Sequence, residues 1–401
     1  MHPDFQHWMK EATRLTQAGD LQGATAALQA ALGQRPPAGA APAAARQGAA
    51  RVFADQVIDV EAREVVDAVE GAPADVTSMP PPSGRAETMR WAESLWRRAP
   101  ASTPPTDGAT RAKEGSAAGG RFISGSHADP AAGQRDYKLF IPPVAGPQPR
   151  PLVVMLHGCT QSPDDFATGT AMNEAASAQG FFVLYPAQSA QANPQRCWNW
   201  FKHHHQQRDR GEAALIAGMV RRVMREHSID SERVYVAGLS AGGAMAAILG
   251  AAYPELFAAV GVHSGLAAGS ATDLPSALAA MRSGGNGQMP GRASRMPTIV
   301  FHGDADTTVH PRNAEQVIAA SVGVDTRVEP QTVAAAGGRT CTRRIHRATD
   351  GQVVAEHWLV HGAGHAWSGG SARGSYTDAR GPDASAEMVR FFLEQRRRRS
   401  D

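Results

Sequence analysis

The sequence predicts an α/β fold: a mainly parallel central sheet flanked by helices over residues 121–397, preceded by an appendage, residues 1–120, of mostly disordered chain with short helices. Three observations predict it. From about residue 120, short apolar runs alternate with amphipathic stretches, the pattern of strands joined by helical crossovers. The runs are apolar at nearly every position, as strands buried on both faces must be. One of these runs passes through a serine between glycines directly into a helix-forming stretch.

The appendage is read from its composition. Phe5, Trp8, Met9, Leu15, Leu21, Ala24, Leu28 and Leu32 recur with helical periodicity, and Gly19-Asp20 turns one helix into another. The stretch resembles a single tetratricopeptide-type hairpin, but no second copy follows at that period, so a solenoid is not expected. Residues 34–50, rich in Ala, Pro, Gly and Gln, read as a linker. One more helix is expected over 85–98, around Met89, Trp91, Ala92, Leu95 and Trp96, before a second Pro- and Gly-rich stretch over 99–120.

The main domain opens with an antiparallel pair, Arg121 to Ser126 and Tyr137 to Pro142, joined by a Gly- and Pro-bearing segment. Strands follow at Leu152 to Leu156, Phe181 to Tyr185, Val234 to Ala237, Ala259 to Val262 and Thr298 to Phe301. Helices are expected near 165–179, 211–227, 241–252 and 313–321. Thr326 to Thr332 and Arg343 to Val360 are β-rich, and a last helix covers about 384–396.

Charge and cysteine content narrow the function. A formal net charge of +2 on 401 residues creates no field that would gather nucleic acid or an anionic membrane. The basic run Arg396 to Arg399 reads as a solvated, frayed tail. Three cysteines, Cys159, Cys197 and Cys341, form neither a disulfide framework nor a zinc-spaced set. No stretch approaches the roughly 20 uninterrupted apolar residues of a transmembrane helix. Met1 to Lys10 lacks the basic start and apolar block of a signal peptide, so a cytoplasmic location is the default and an extracellular one the alternative. His203-His204-His205 looks like a metal tract, but adjacent histidines cannot converge on one centre, and it reads as a polar loop. No Gly-x-Gly-x-x-Gly follows the first strand, and no metal, nucleotide or flavin is expected.

The chemistry centres on Gly238-Leu239-Ser240-Ala241-Gly242-Gly243, between the strand-like Arg233 to Ala237 and the helix-forming Ala244 to Leu249. Strand, sharp turn and helix make the context of a nucleophile elbow, the hallmark of the α/β-hydrolase fold. Glycines two residues either side of the serine relieve the close approach of neighbouring chain. A serine hydroxyl needs a base to take its proton, and in this fold the order along the chain is serine, acid, histidine. After the strand at 298–301, Asp304 and Asp306 compete for the acid; Asp306 is favoured because related hydrolases carry the acid at a Gly-x-x-Asp spacing after the strand, as Gly303 to Asp306 has it, leaving Asp304 as a turn residue bonding local N–H groups. For the base, His365 among small residues is favoured over His361, which reads as still within a strand. The oxyanion donors are expected to be the N–H of Ala241 and, after the strand ending at Leu156, that of Cys159, with Thr160 as the alternative.

With those pieces placed, residues 120–395 resemble the polyhydroxybutyrate depolymerase family of esterases. The resemblance rests on Leu156-His157-Gly158-Cys159-Thr160-Gln161, Arg196-Cys197-Trp198-Asn199-Trp200-Phe201, Gly238 to Met245, His302-Gly303-Asp304-Ala305-Asp306 and Gly364-His365-Ala366-Trp367-Ser368-Gly369-Gly370. That family is similar in turn to feruloyl and acetyl-xylan esterases. The resemblance implies a lidless hydrolase of hydroxybutyrate or short acyl esters, with Ser240, Asp306 and His365 in the active site. It also implies a pairing of Cys159 with Cys197. Trp198, Trp200 and Trp367 either present a flat apolar substrate surface or fill the core. The expected partner is a polyester or a small ester. The alternatives are a carbohydrate esterase of the feruloyl or acetyl-xylan type, a granule-associated binding protein with secondary esterase activity, and a peptidase.

Overall fold

The computed structural model describes residues 119–130, 132–143, 147–285, 296–322 and 326–397. The hairpin expected over 5–32, the linker over 34–50 and the helix over 85–98 lie outside the described residues.

A ten-stranded sheet runs through the described chain in the order β1-β2-β4-β3-β5-β6-β7-β10-β9-β8. Its strands are β1 (Arg121–Asp129), β2 (Gly133–Ile141), β3 (Arg150–Leu156), β4 (Phe182–Pro186), β5 (Ile229–Leu239), β6 (Ala259–His263), β7 (Thr298–Gly303), β8 (Arg327–Ala334), β9 (Thr340–Arg347) and β10 (Val353–Val360). The central strands, from β4 through β3, β5, β6 and β7 to β10, pair in parallel. Antiparallel strands finish both sides: β2 and β1 beyond β4, and β9 and β8 beyond β10.

The apolar runs predicted this division. In β3 and β4 almost every side chain is buried, because helices cover both faces. Along β3, Leu152, Val154 and Leu156 pack on one face and Val153 and Met155 on the other, the alternation a strand imposes. On the first face lie α3 (Gly211–Glu226), α4 (Ala241–Ala252), α5 (Leu274–Ser283) and α6 (Arg312–Ser321). On the second lie α1 (Pro163–Thr170), α2 (Met172–Gln179) and α7 (Ala384–Leu393).

The structure corrects several expectations. The first pair of strands is longer than predicted, with register held from Arg121↔Ile141 to Asp129↔Gly133. The single helix expected over 165–179 is two, α1 and α2, broken at Ala171, whose φ of 51° is left-handed. The break frees the Thr170 carbonyl, which accepts from the Ser385 hydroxyl at 2.6 Å. Helix α5 was not expected, although its signal is local: Asp273 and Ser276 cap its start reciprocally, with a proline in the first turn. The His203–Gln206 stretch forms a short 3-10 turn rather than a loop, and His205 Nδ1 accepts the Glu212 N–H at 2.9 Å. The basic run does not begin as a free tail: the Arg397 N–H donates to Glu232 O at 2.9 Å.

Candidate active site

The parallel strands β5, β7 and β10 all end at the same edge of the sheet, and each is followed within a few residues by a group singled out from the sequence. β5 ends at Leu239, opposite His263 of β6, and Ser240 comes next. Ser240 holds φ 56° and ψ −118°, a conformation that costs a non-glycine residue on the order of 1–3 kcal/mol. Its N–H donates to His263 O at 2.8 Å, and its side chain makes no capping bond to α4. The hydroxyl is therefore not spent on the helix it precedes. The flanking glycines are required by contact. A Cβ at Gly238 would collide with Gly242, and one at Gly242 with the carbonyl oxygens of Leu156 and His157.

β7 and β10 run side by side, with Gly303 opposite Val360. The turns that leave them carry two aspartates and two histidines, and the structure sorts these into separate pairs. His365 Nδ1 lies 2.7 Å from Asp306 Oδ2. His361 Nδ1 lies 2.8 Å from Asp304 Oδ2. The two pairs differ in setting. Asp306 is 5% exposed, and its Oδ1 accepts from the Thr308 and Val309 N–H groups, each at 2.9 Å. Asp304 and His361 are both exposed, with 39% of each side chain open to solvent. Burial alone would raise the Asp306 carboxyl, but the neighbouring imidazoles of His365 and His302 and their hydrogen bonds hold it well below the usual carboxylate range. A carboxylate only accepts, so His365 carries its proton on Nδ1 and leaves Nε2 as its basic nitrogen.

Two expectations about the second pair are corrected. Asp304 does not bond local backbone; it takes His361 and the Gly362 N–H, 58 residues away. His361 lies just past the end of β10 rather than within it.

His263 joins the elbow to the loop that bears His365. While its carbonyl takes the Ser240 N–H, its Nε2 accepts the Ser368 N–H at 2.9 Å, three residues past His365. Trp367 stacks on the same imidazole at 5.0 Å between ring centroids. Burial and the neighbouring histidines push the His263 pKa down to about 3, so the ring is a neutral acceptor.

The loop after β3 lies against the elbow: a Cβ at Gly158 would come within 3.5 Å of Leu239 O. Cys159 follows and is disulfide-bonded to Cys197. The two oxyanion candidates here differ in what their amides already do. The Thr160 N–H donates to Gln195 O at 2.6 Å, whereas the Cys159 N–H has no acceptor among the described residues. Ala241 is the first residue of α4, where an N–H has no partner within the helix.

The tryptophan surface is a correction. Trp198, Trp200 and Trp367 are buried, so none offers an exposed flat face. Trp198 and Trp200 belong to the core on one side of the sheet. Trp367 belongs to the core on the other, where it meets Phe166 edge-on and its Nε1 donates to Ser385 Oγ.

Sequence reasoning missed the polar groups that hold these loops. Glu212, buried at the start of α3, accepts from the Asn199 N–H at 2.7 Å and from Gln188 Nε2 at 2.6 Å, and Gln188 Nε2 also donates to Cys197 O. Gln161 Oε1 accepts the Gly158 N–H while its Nε2 donates to Asp165 Oδ2. The available signal was a lone carboxylate on the apolar face of a helix.

The family described as Esterase PHB depolymerase matches residues 135–344. Poly(3-hydroxyalkanoate) depolymerase C of Paucimonas lemoignei is 32% identical over 238 residues, covering 56% of this chain and 56% of that protein. Feruloyl esterase B of Thermothelomyces thermophilus is 32% identical over 198 residues, covering 45% of this chain and 67% of that protein. The chain thus spans between about half and two thirds of the length of these relatives. Among solved structures, the acetyl xylan esterase from Aspergillus awamori superposes with a TM-score of 0.52 at 21% identity, over 68% of this chain and 99% of that one, a likeness of fold.

Proposed function

This chain belongs to the esterase PHB depolymerase family, and from that premise we propose that it is a serine hydrolase of carboxylic esters with Ser240 as nucleophile, His365 as general base and Asp306 as the acid that orients it. The observation that carries the reading is the 2.7 Å contact between His365 Nδ1 and Asp306 Oδ2, at the sheet edge where the strained Ser240 also sits.

The chemistry follows from the groups present. Ser240 Oγ attacks the ester carbonyl carbon as its proton passes to His365 Nε2. The imidazolium that forms faces the Asp306 carboxylate, which stabilises it and keeps the ring oriented. The carbonyl oxygen becomes an oxyanion, received by the Cys159 and Ala241 N–H groups. When the tetrahedral intermediate collapses, the alkoxide leaves with the proton from His365, and Ser240 stays acylated. Water, deprotonated by the same imidazole, then attacks the acyl carbon and releases the acid and the free hydroxyl.

The substrate we propose is poly-3-hydroxybutyrate, its soluble oligomers, or short-chain esters, supported by the likeness to the Paucimonas lemoignei depolymerase. A carbohydrate ester is the second reading, favoured by the equally identical feruloyl esterase B. Turnover of hydroxybutyrate oligomers compared with feruloylated and acetylated sugars separates them. The Cys159–Cys197 bond favours an oxidising compartment over the cytoplasm. The enzyme reading itself is tested by Ser240→Ala: ester turnover falls by several orders of magnitude in a protein of unchanged fold, and undiminished turnover would remove it.

A further inference from the structure

Two imidazoles, not one, meet the Asp306 carboxylate. The second belongs to His302, in β7 and fully buried. Its Nε2 lies 2.8 Å from Val309 O and 3.3 Å from Asp306 Oδ2. Both oxygens only accept, so the proton of a neutral His302 sits on Nε2 and its Nδ1 is bare. That Nδ1 is buried without a partner among the described residues.

The neighbouring parallel strand supplies the complement. His357 of β10 lies opposite Val300, two positions before His302 and therefore on the same face of the sheet. Its Nδ1 lies 3.4 Å from Nη1 of Arg344, a group that only donates, so the proton of His357 sits on Nε2. That nitrogen is also buried without a partner. A bare nitrogen and an N–H of opposite need thus occupy diagonal positions on one face of adjacent strands, a pair of complementary groups that one bridging water would satisfy. The His302 imidazole also helps to lower the pKa of His357, as expected of a neighbour.

We propose that His302 is a positioning residue for ester hydrolysis: its Nε2–H holds the Asp306 carboxylate in the orientation that receives His365, and a water between His302 Nδ1 and His357 Nε2 fixes the tautomer this requires. The reasoning is one of polarity. In the other tautomer a bare Nε2 would face the Val309 carbonyl and the carboxylate, three electron-rich atoms with no proton among them. Arg344 sets the His357 tautomer, the water passes that choice to His302, and His302 presents its proton to the same Asp306 oxygen, Oδ2, that receives His365. The proposal rests on Asp306 being the acid of the triad.

The test uses the full chain and a soluble p-nitrophenyl short-chain ester. His302→Phe fills the same space without the donor, and the expected result is a fall in kcat of roughly tenfold to a hundredfold with KM within about twofold, the size of effect a misplaced catalytic group produces. His302→Gln places an amide N–H near the former Nε2 position and is expected to recover most of the loss. In the unmutated protein, 15N NMR of labelled histidine is expected to find the His302 proton on Nε2, and this readout stands even if a variant misfolds. An unchanged kcat in His302→Phe, a Gln variant no better than Phe, or a proton on Nδ1 would each overturn the proposal. Ser240→Ala measured alongside keeps the two questions apart. If it abolishes turnover while His302→Phe changes nothing, only the positioning role fails; if it leaves turnover intact, the triad reading fails.

Discussion

His365 and Asp306, 59 residues apart in sequence, meet at 2.7 Å because β7 and β10 run parallel and side by side and release their chains at the same edge of the sheet. Two residues nearer β7 and four nearer β10, Asp304 and His361 form a second contact at 2.8 Å. The two pairs share a chemical type and differ in burial, which makes them separable by mutation. Asp306→Asn removes the group that fixes the His365 proton on Nδ1, and kcat/KM is expected to fall by about 10³- to 10⁴-fold. Asp304→Asn, in an exposed pair, is expected to stay within a few-fold of the unmutated protein. Steady-state kinetics on one soluble ester measures both.

That Asp306 rather than Asp304 meets His365 agrees with the Gly-x-x-Asp spacing known from related hydrolases, and the strand-turn-helix at Ser240 was legible through Gly238 and Gly242. The parallel sheet was legible because runs such as Leu152 to Leu156 carry no polar face. What escaped was set by contacts distant in sequence. Nothing near Ala171 announces a helix break whose freed carbonyl is taken up by Ser385. The burial of Trp198, Trp200 and Trp367 depends on which helices cover the loops that carry them, and composition alone does not report that. His302 looked like part of a turn motif, and its contact with Asp306 depends on the chain folding back within the 302–309 turn.

Gly242 tests the elbow sterically. A Cβ there would run into the carbonyl oxygens of Leu156 and His157, both backbone and neither able to swing away. Gly242→Ala is expected to destabilise the domain by about 3 kcal/mol or more, at the upper end of overpacking costs. Urea unfolding followed by circular dichroism measures it; a loss under about 1 kcal/mol would mean that β3 and α4 are not so closely packed.

The Cys159–Cys197 bond leaves Cys341 as the free thiol. Titration in denaturant without reductant is expected to find one thiol per chain, and three after reduction. The bond closes a 38-residue separation, for which chain entropy gives about 4 kcal/mol of stabilisation as an upper figure. Reduction is accordingly expected to lower Tm.

Three buried imidazoles contribute to a loss of stability in acid. Burial lowers the His157 pKa to about 4 and those of His263 and His357 to about 3. Unfolded, each returns to about 6.5 and binds a proton that the folded state refuses. Between pH 6.5 and pH 4 the unfolded chain therefore holds more protons, and stability falls as pH falls. The stabilisation is complete above about pH 7, and by pH 5 a loss of a few kcal/mol is expected, since each pKa unit corresponds to about 1.4 kcal/mol. Urea midpoints at pH 7.5, 6 and 5 give the sign; a midpoint that rises on acidification would contradict it.

The most direct measurement is the site of covalent capture. A fluorophosphonate reacts with a serine only where a base removes its proton and donors receive the developing oxyanion. Incubation with diisopropyl fluorophosphate, followed by intact mass and peptide mapping, is expected to give one adduct per chain, on Ser240, with ester turnover lost in proportion to labelling. An adduct on another residue, or full turnover in a protein fully labelled at Ser240, would contradict the account.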